Sequence, residues 1–291
     1  MEFYAVSDMG KCRTENQDTY GNVGEGRVFF VTVCDGMGGA AAGKQAAEIA
    51  CAQMLDVFSE LLVREGDGHA PQPLTSYESK RLLREALERA NNAVYLESQK
   101  SQSMHGMGTT VAAALFYYGK AYIMHVGDSR VYRYRSGLLE RMTSDHSLVQ
   151  TMVDAGSLTE EQARVHPSRN VITRAVGVGE QIAADYRTEE LQAGDIYLLC
   201  SDGLTSMVKD SRIEDILSAP KPVQSKVNAL LCAALEAGGE DNVTIFLIEC
   251  GEDDVYSVWD ALTDVRTEDI TAAYVSSSSN AEVKSGRGDI E

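Results

Sequence analysis

The sequence predicts an α+β fold in which paired strands build mixed or antiparallel sheets covered by helices. Three observations carry this. The β-rich apolar runs come in consecutive pairs rather than in strict alternation with helices, which disfavours a doubly wound parallel sheet. Most of those runs are almost continuously apolar, so each needs cover on at least one face. Two long segments repeat apolar residues at helical spacing and can supply that cover.

In chain order, strands are expected at residues 27–34, 110–117, 120–126, 130–135, 195–200 and 243–250. The first, Arg-Val-Phe-Phe-Val-Thr-Val-Cys, stops at Asp35-Gly36. One helix is expected at 44–64, on Ala46, Ile49, Ala50, Met54, Val57, Phe58 and Leu61. A second, at 76–100, follows Thr75-Ser-Tyr-Glu78, whose spacing suits a capping box. Between them, residues 65–74 hold Gly and two Pro and read as a surface loop. Short helices are expected at 147–156 and 159–165, and a last one at about 222–237, ended by Gly238-Gly239.

Bulk properties narrow the function. The 291 residues are 44% hydrophobic, enough for a sizeable core. A net charge of −18 repels nucleic acid and anionic membranes, so neither is an expected partner. The six cysteines form no C-x-x-C pair and no zinc-spaced cluster with histidine, and they read as buried thiols of a reducing compartment. No run of about 18 apolar residues and no secretory leader is present, so a cytoplasmic, monomeric protein is expected. Beyond Cys250, ten acidic residues face three basic ones, and 251–291 reads as a flexible acidic tail in which Val255–Leu262, with Trp259, could dock.

The chemistry lies where apolar runs meet aspartates. Asp35, Asp128 and Asp202 each follow such a run, and Asp241 precedes one. Any one of them could sit in an ordinary turn, since Asp-Gly is a strong turn former. Four that abut strands could instead converge, and convergent carboxylates are costly to bury unless cations neutralise them. An oxygen-only ligand set selects Mg²⁺, Mn²⁺ or Ca²⁺ over zinc, and two such ions can activate a water and clamp phosphate oxygens. Gly36 lacks a side chain and lets its carbonyl approach an ion. Arg13, five residues before Asp18, offers a guanidinium that holds two phosphate oxygens at once.

Taken in order, Arg13-x-x-Asn16-x-Asp18, Asp35-Gly36-Met37-Gly38-Gly39, Gly108-Thr109-Thr110, Val126-Gly127-Asp128-Ser129-Arg130, Asp145-His146-Ser147, Ser201-Asp202-Gly203-Leu204 and Asp241-Asn242 resemble the metal-dependent protein phosphatases (PPM family, type 2C) in their compact bacterial form. The resemblance covers residues 3 to 250. It implies a four-layer α-β-β-α sandwich with two central, mostly antiparallel sheets, a catalytic domain at 1–250 and a flap subdomain at about 145–180. It implies hydrolysis of phosphoserine and phosphothreonine in proteins, opposing a Ser/Thr protein kinase, with Mn²⁺ or Mg²⁺ as cofactor. Asp35 would bridge two ions, Asp202 and Asp241 would complete one, and the Gly36 carbonyl would contribute to the other. Asp18 would act on that second ion through water, and Asp128 would share a third ion with Asp202. Arg13 would bind the substrate phosphate, and a metal-bound hydroxide would attack phosphorus without a phosphoenzyme.

Departures accompany the resemblance. Met37 stands where animal members carry a histidine proposed as general acid, so the proton donor is unassigned. Gln17 replaces an acidic residue, which predicts a weaker second metal, and Ala40 and Lys44 have no functional account. His125 and His146 are expected to be structural. Two other readings compete: a phosphatase of regulator proteins in stress or sporulation pathways, argued against by the short N-terminus, and a pseudophosphatase scaffold, argued against by the intact aspartates.

Overall fold

In the computed structural model, which describes residues 1–66 and 74–255, two sheets stack face to face. One has the order β1 (Glu2–Asp8), β11 (Val243–Glu249), β10 (Ile196–Cys200), β7 (Arg130–Arg135) and β8 (Leu138–Arg141). The other runs β2 (Asp18–Glu25), β3 (Val28–Met37), β5 (Val111–Tyr117), β6 (Lys120–Val126) and β9 (Asp185–Glu190), with the two-residue β4 (Gly108–Thr109) added to β3. Every pairing between named strands is antiparallel.

Period-two alternation explains the layers. In β3, Phe29, Val31 and Val33 face the other sheet and meet Phe116, Tyr197, Leu199 and Phe246. Phe30 and Cys34 face away, onto the long helices α1 (Ala40–Gly66) and α2 (Ser76–Ser98). Phe30 stacks on Phe58 of α1 with ring centroids 3.8 Å apart. The outer face of the β10–β11 sheet is covered by α5 (Asp202–Thr205), α6 (Asp210–Ser218) and α7 (Val223–Glu236) through Leu204, Ile213, Leu217, Val227 and Leu230. The architecture is therefore the α-β-β-α sandwich expected. Each of these fully buried apolar side chains contributes about 2 kcal/mol by removal from water.

Local signals hold as well. Glu78 N–H donates to Thr75 Oγ1 at 3.3 Å and Thr75 N–H to Glu78 Oε2 at 2.8 Å, the reciprocal capping box. Strand β3 runs three residues past its expected end, through Asp35, Gly36 and Met37, because β4 pairs with Gly36 and Met37. The short α3 (Leu148–Asp154) and α4 (Glu160–Arg164) lie where expected. Four cysteines are buried, whereas Cys12 and Cys232 are exposed, because each falls on the solvent side of its segment. No helix among the described residues is long and apolar enough to cross a membrane.

The loop expected at 65–74 falls mostly outside the described residues, and so does the tail from 256 onward, including Trp259. Residues Glu252–Asp254 form one 3-10 turn, where Asp254 accepts a 2.9 Å hydrogen bond from the Met1 amino group.

Candidate metal centre

Strand direction brings the aspartates to one end of the sandwich. Strand β3 carries Asp35 near its end there, and β6 ends there just before Asp128. Strand β10 ends there too, and the antiparallel β11 starts there after Asp241. Asp202 is the first residue of α5 rather than a turn residue. Asp18 opens β2 in register with Asp35. Arg13, Asp35, Gly36, Asp128, Asp202 and Asp241 line one open cleft of about 450 Å³, together with Gln17, Met37, Thr110, Asn170 and Asn242. Asp18 is not on that surface. It lies beneath it, where Ser201 Oγ donates to its Oδ2 at 2.7 Å.

Backbone and hydroxyl groups hold these carboxylates in place. Asp35 N–H donates to Thr110 Oγ1 at 3.0 Å, and Asp35 O accepts from Thr110 N–H and from Thr109 Oγ1, both at 2.9 Å. Thr110 Oγ1 also meets Ser129 Oγ at 2.7 Å, linking Asp35 to the loop that carries Asp128. Asn242 fastens the Arg13 loop: its Nδ2 donates to Met9 O and Glu15 O at 3.0 Å, and its Oδ1 accepts from Gln17 N–H at 2.8 Å. Thr110, Asn242 and Ser201 stood in or beside the sequence motifs, but no pattern in the sequence gave them these positioning roles. Gln17 Nε2 donates to Gly39 O at 3.0 Å, a contact that a carboxylate at this position could not make.

Gly36 is required by space. A Cβ there would overlap the Gly43 carbonyl, which is backbone and cannot swing aside. Gly36→Ala is therefore expected to destabilise the fold by roughly 3 kcal/mol, read as a lower urea midpoint; an unchanged midpoint would show that α1 can yield.

The electrostatics are strained. Burial pushes the Asp35 carboxyl well above the usual range, and the charges of Asp18, Asp202, Asp128 and Asp241 push the same way. Asp202 behaves alike, through burial and then Asp128 and Asp241. Burial lifts Asp18 to about 6, opposed by the Ser201 hydroxyl, and lifts Asp128 to about 6, aided by Asp145. The Oδ1 atoms of Asp18 and Asp202 are buried without a hydrogen-bond partner. The Arg13 guanidinium donates to Asp241 Oδ2 at 2.6 Å. Five carboxylates with orphaned oxygens, and no histidine or cysteine among the described residues that line the cleft, fit hard divalent cations such as Mn²⁺ and Mg²⁺.

A sequence model of the family described as protein phosphatase 2C matches residues 12–237. The chain belongs to the protein phosphatase 2C family. This member is 36% identical over 245 residues to the serine/threonine phosphatase stp of Listeria welshimeri, spanning 84% of this chain and 93% of that protein. It is 35% identical over 263 residues to protein phosphatase PhpP of Streptococcus pneumoniae, spanning 87% and 99%. Its fold superposes on the crystal structure of the serine/threonine phosphatase PstP/Ppp of Mycobacterium tuberculosis with a TM-score of 0.74 at 34% identity, over 86% of this chain and 99% of that one. A crystal structure of the PstP catalytic domain in complex with two manganese ions is similar at a TM-score of 0.72 and 32% identity, over 86% and 98%.

Proposed function

We propose that this protein phosphatase 2C enzyme hydrolyses phosphoserine and phosphothreonine in proteins, using water activated at a centre of two Mn²⁺ or Mg²⁺ ions. The convergence of Asp18, Asp35, Asp128, Asp202 and Asp241, with orphaned oxygens on two of them, carries this reading. Asp35, central to the group, would bridge the two ions. Asp202 and Asp241 would complete one, and the Gly36 carbonyl and, through water, Asp18 would serve the other. Asp128 would share a third ion with Asp202. When bound, the ions supply an activated water and screen the phosphate charge.

The chain's own groups do the rest. Arg13 leaves Asp241 and places two N–H groups on the phosphate, turning the phosphorus toward the water. The cleft is open, so a phosphorylated side chain on a protein surface can enter it. Neither His125 nor His146 lines it, and Met37 holds no proton, so none of the three protonates the leaving seryl or threonyl oxygen. We read residues 1–250 as the catalytic domain and 145–180 as a flap: Asn170 and Ile172 line the cleft, Arg164 donates to Thr205 O at 3.0 Å, and Arg169 lies 3.7 Å from Glu240. The enzyme would oppose a Ser/Thr protein kinase in the cytoplasm as a monomer.

Hydrolysis of a phosphothreonine peptide is expected with Mn²⁺ and not with EDTA; equal rates in both would end the proposal. Arg13→Ala is expected to lower kcat/KM by roughly 10- to 100-fold, the worth of a charge-assisted bidentate contact. Arg13→Lys should recover part of it, and a wild-type rate in Arg13→Ala would remove Arg13 from phosphate binding.

A further inference from the structure

His125, His146 and Asp185 place one ligand atom each within 4.8 Å of one another, outside the cleft. Their hydrogen bonds argue against a metal there. Gly127 N–H donates to His146 Nδ1 at 3.1 Å, so that nitrogen carries the lone pair. The neutral ring then carries its proton on Nε2, which faces Asp185 Oδ2 at 3.3 Å; with the Arg174 guanidinium nitrogen also 3.2 Å away, that protonated nitrogen is no cation ligand. Burial, then the neighbouring His125 and Arg174, keep the ring neutral. His125 is engaged elsewhere, with Nε2 2.7 Å from Ser144 O.

The same contacts define a different task. His146 grips the Gly127 peptide from both sides: its ring accepts from Gly127 N–H, and its own N–H donates to Gly127 O at 2.8 Å. Gly127 has φ +105, and a Cβ there would press on Thr110, so its backbone is held against the residue that pins Asp35. Asp128 follows directly. On its other side, His146 O accepts from Thr173 N–H at 2.7 Å, and its ring reaches Asp185, which Arg174 also holds at 3.1 Å. The chain leaves the body at His146, touches it again at Thr173 and rejoins the sheet at Asp185.

The geometry points to His146 as a positioning residue that fixes Asp128 through the Gly127 peptide and ties it to the segment folded over the cleft. This rests on the metal reading above. The ring acts through the ligand's backbone and touches neither substrate nor ion.

Side chains that mimic one ring nitrogen at a time test this. In His146→Asn, Oδ1 replaces Nδ1 and keeps the Gly127 contact. In His146→Gln, the longer amide reaches Asp185 and loses Gly127. Mn²⁺ binding to the full chain is measured by titration calorimetry, with the metal-free melting temperature recorded alongside. His146→Gln is expected to weaken Mn²⁺ binding by roughly tenfold, within the range for groups that orient metal ligands, while His146→Asn stays close to wild type. In an Asp128→Asn background, His146→Gln should cost nothing further, because its effect runs through that carboxylate. Wild-type binding in His146→Gln, an equal loss in His146→Asn, or an undiminished loss in the Asp128→Asn background would each overturn the assignment. A wild-type chain that binds no Mn²⁺ would defeat the metal reading and His146's role with it; equal binding by all variants defeats only the latter.

Discussion

Asp35→Asn is expected to lose phosphatase activity by roughly a thousandfold while the metal-free protein becomes more stable at pH 7.5. The two effects share one cause. Asp35 is buried among Asp18, Asp202, Asp128 and Asp241, and its charge is opposed by burial and by all four. An amide of the same shape removes the repulsion and can donate to its neighbours. Removing one of several like charges from a poorly solvated cleft is worth about 2 kcal/mol, or roughly 4–8 °C in Tm for a domain of this size. The same carboxylate, as the bridge between two cations, carries several kcal/mol of transition-state stabilisation, and about 4 kcal/mol is a thousandfold in rate. Differential scanning calorimetry in EDTA and a peptide assay in Mn²⁺ read the two sides. A variant that is both inactive and less stable would mean that Asp35 serves the fold as an ordinary buried polar group, and the cation argument would lose its footing.

Much of the fold was legible because its strongest elements satisfy simple periodicities. The runs of β3, β5, β6, β10 and β11 are apolar on both faces since each is covered twice, by a sheet and by helices. The Thr75–Glu78 box declared the start of α2. What escaped has physical reasons. Strand β2 contains Gly21 and Gly24, poor strand formers, and its register comes from pairing with β3. Strands β1, β8 and β9 lie at sheet edges and carry polar residues on their open sides. Helix α6 shows its pattern only in Ile213, Ile216 and Leu217, too few to stand out. At the site, the aspartates were legible as residues and their convergence as one of two readings, which the resemblance favoured; the strand directions across two sheets that bring them together were not legible. The supporting contacts were less visible still: nothing local in the sequence joins Ser201 to Asp18 or Asn242 to Met9 and Glu15.

Stability against pH should run opposite to the usual pattern when metal is absent. Asp18 and Asp128 are held at about 6 in the folded chain against an ordinary value of 3.8. The folded state therefore binds their protons more tightly than the unfolded one does. That contribution is fully present below pH 4 and is lost as pH rises through 6, with Asp35 and Asp202 extending the loss upward. Paired carboxylates such as Glu140, lowered by Arg187, act in the other direction and fail only as pH falls below about 4.5. The metal-free protein should thus be most stable near pH 5 and lose a few kcal/mol by pH 7.5. Mn²⁺ inverts this, because it binds the ionised forms and displaces their protons. At 100 times its dissociation constant an ion adds about 2.7 kcal/mol, and that gain should be larger at pH 7.5 than at pH 5.5. Thermal unfolding at both pH values, with EDTA and with Mn²⁺, gives four numbers that decide the matter. A metal-free protein more stable at pH 7.5 than at pH 5.5 would show that these carboxylates are already neutralised within the fold, leaving no reason for cations to gather there.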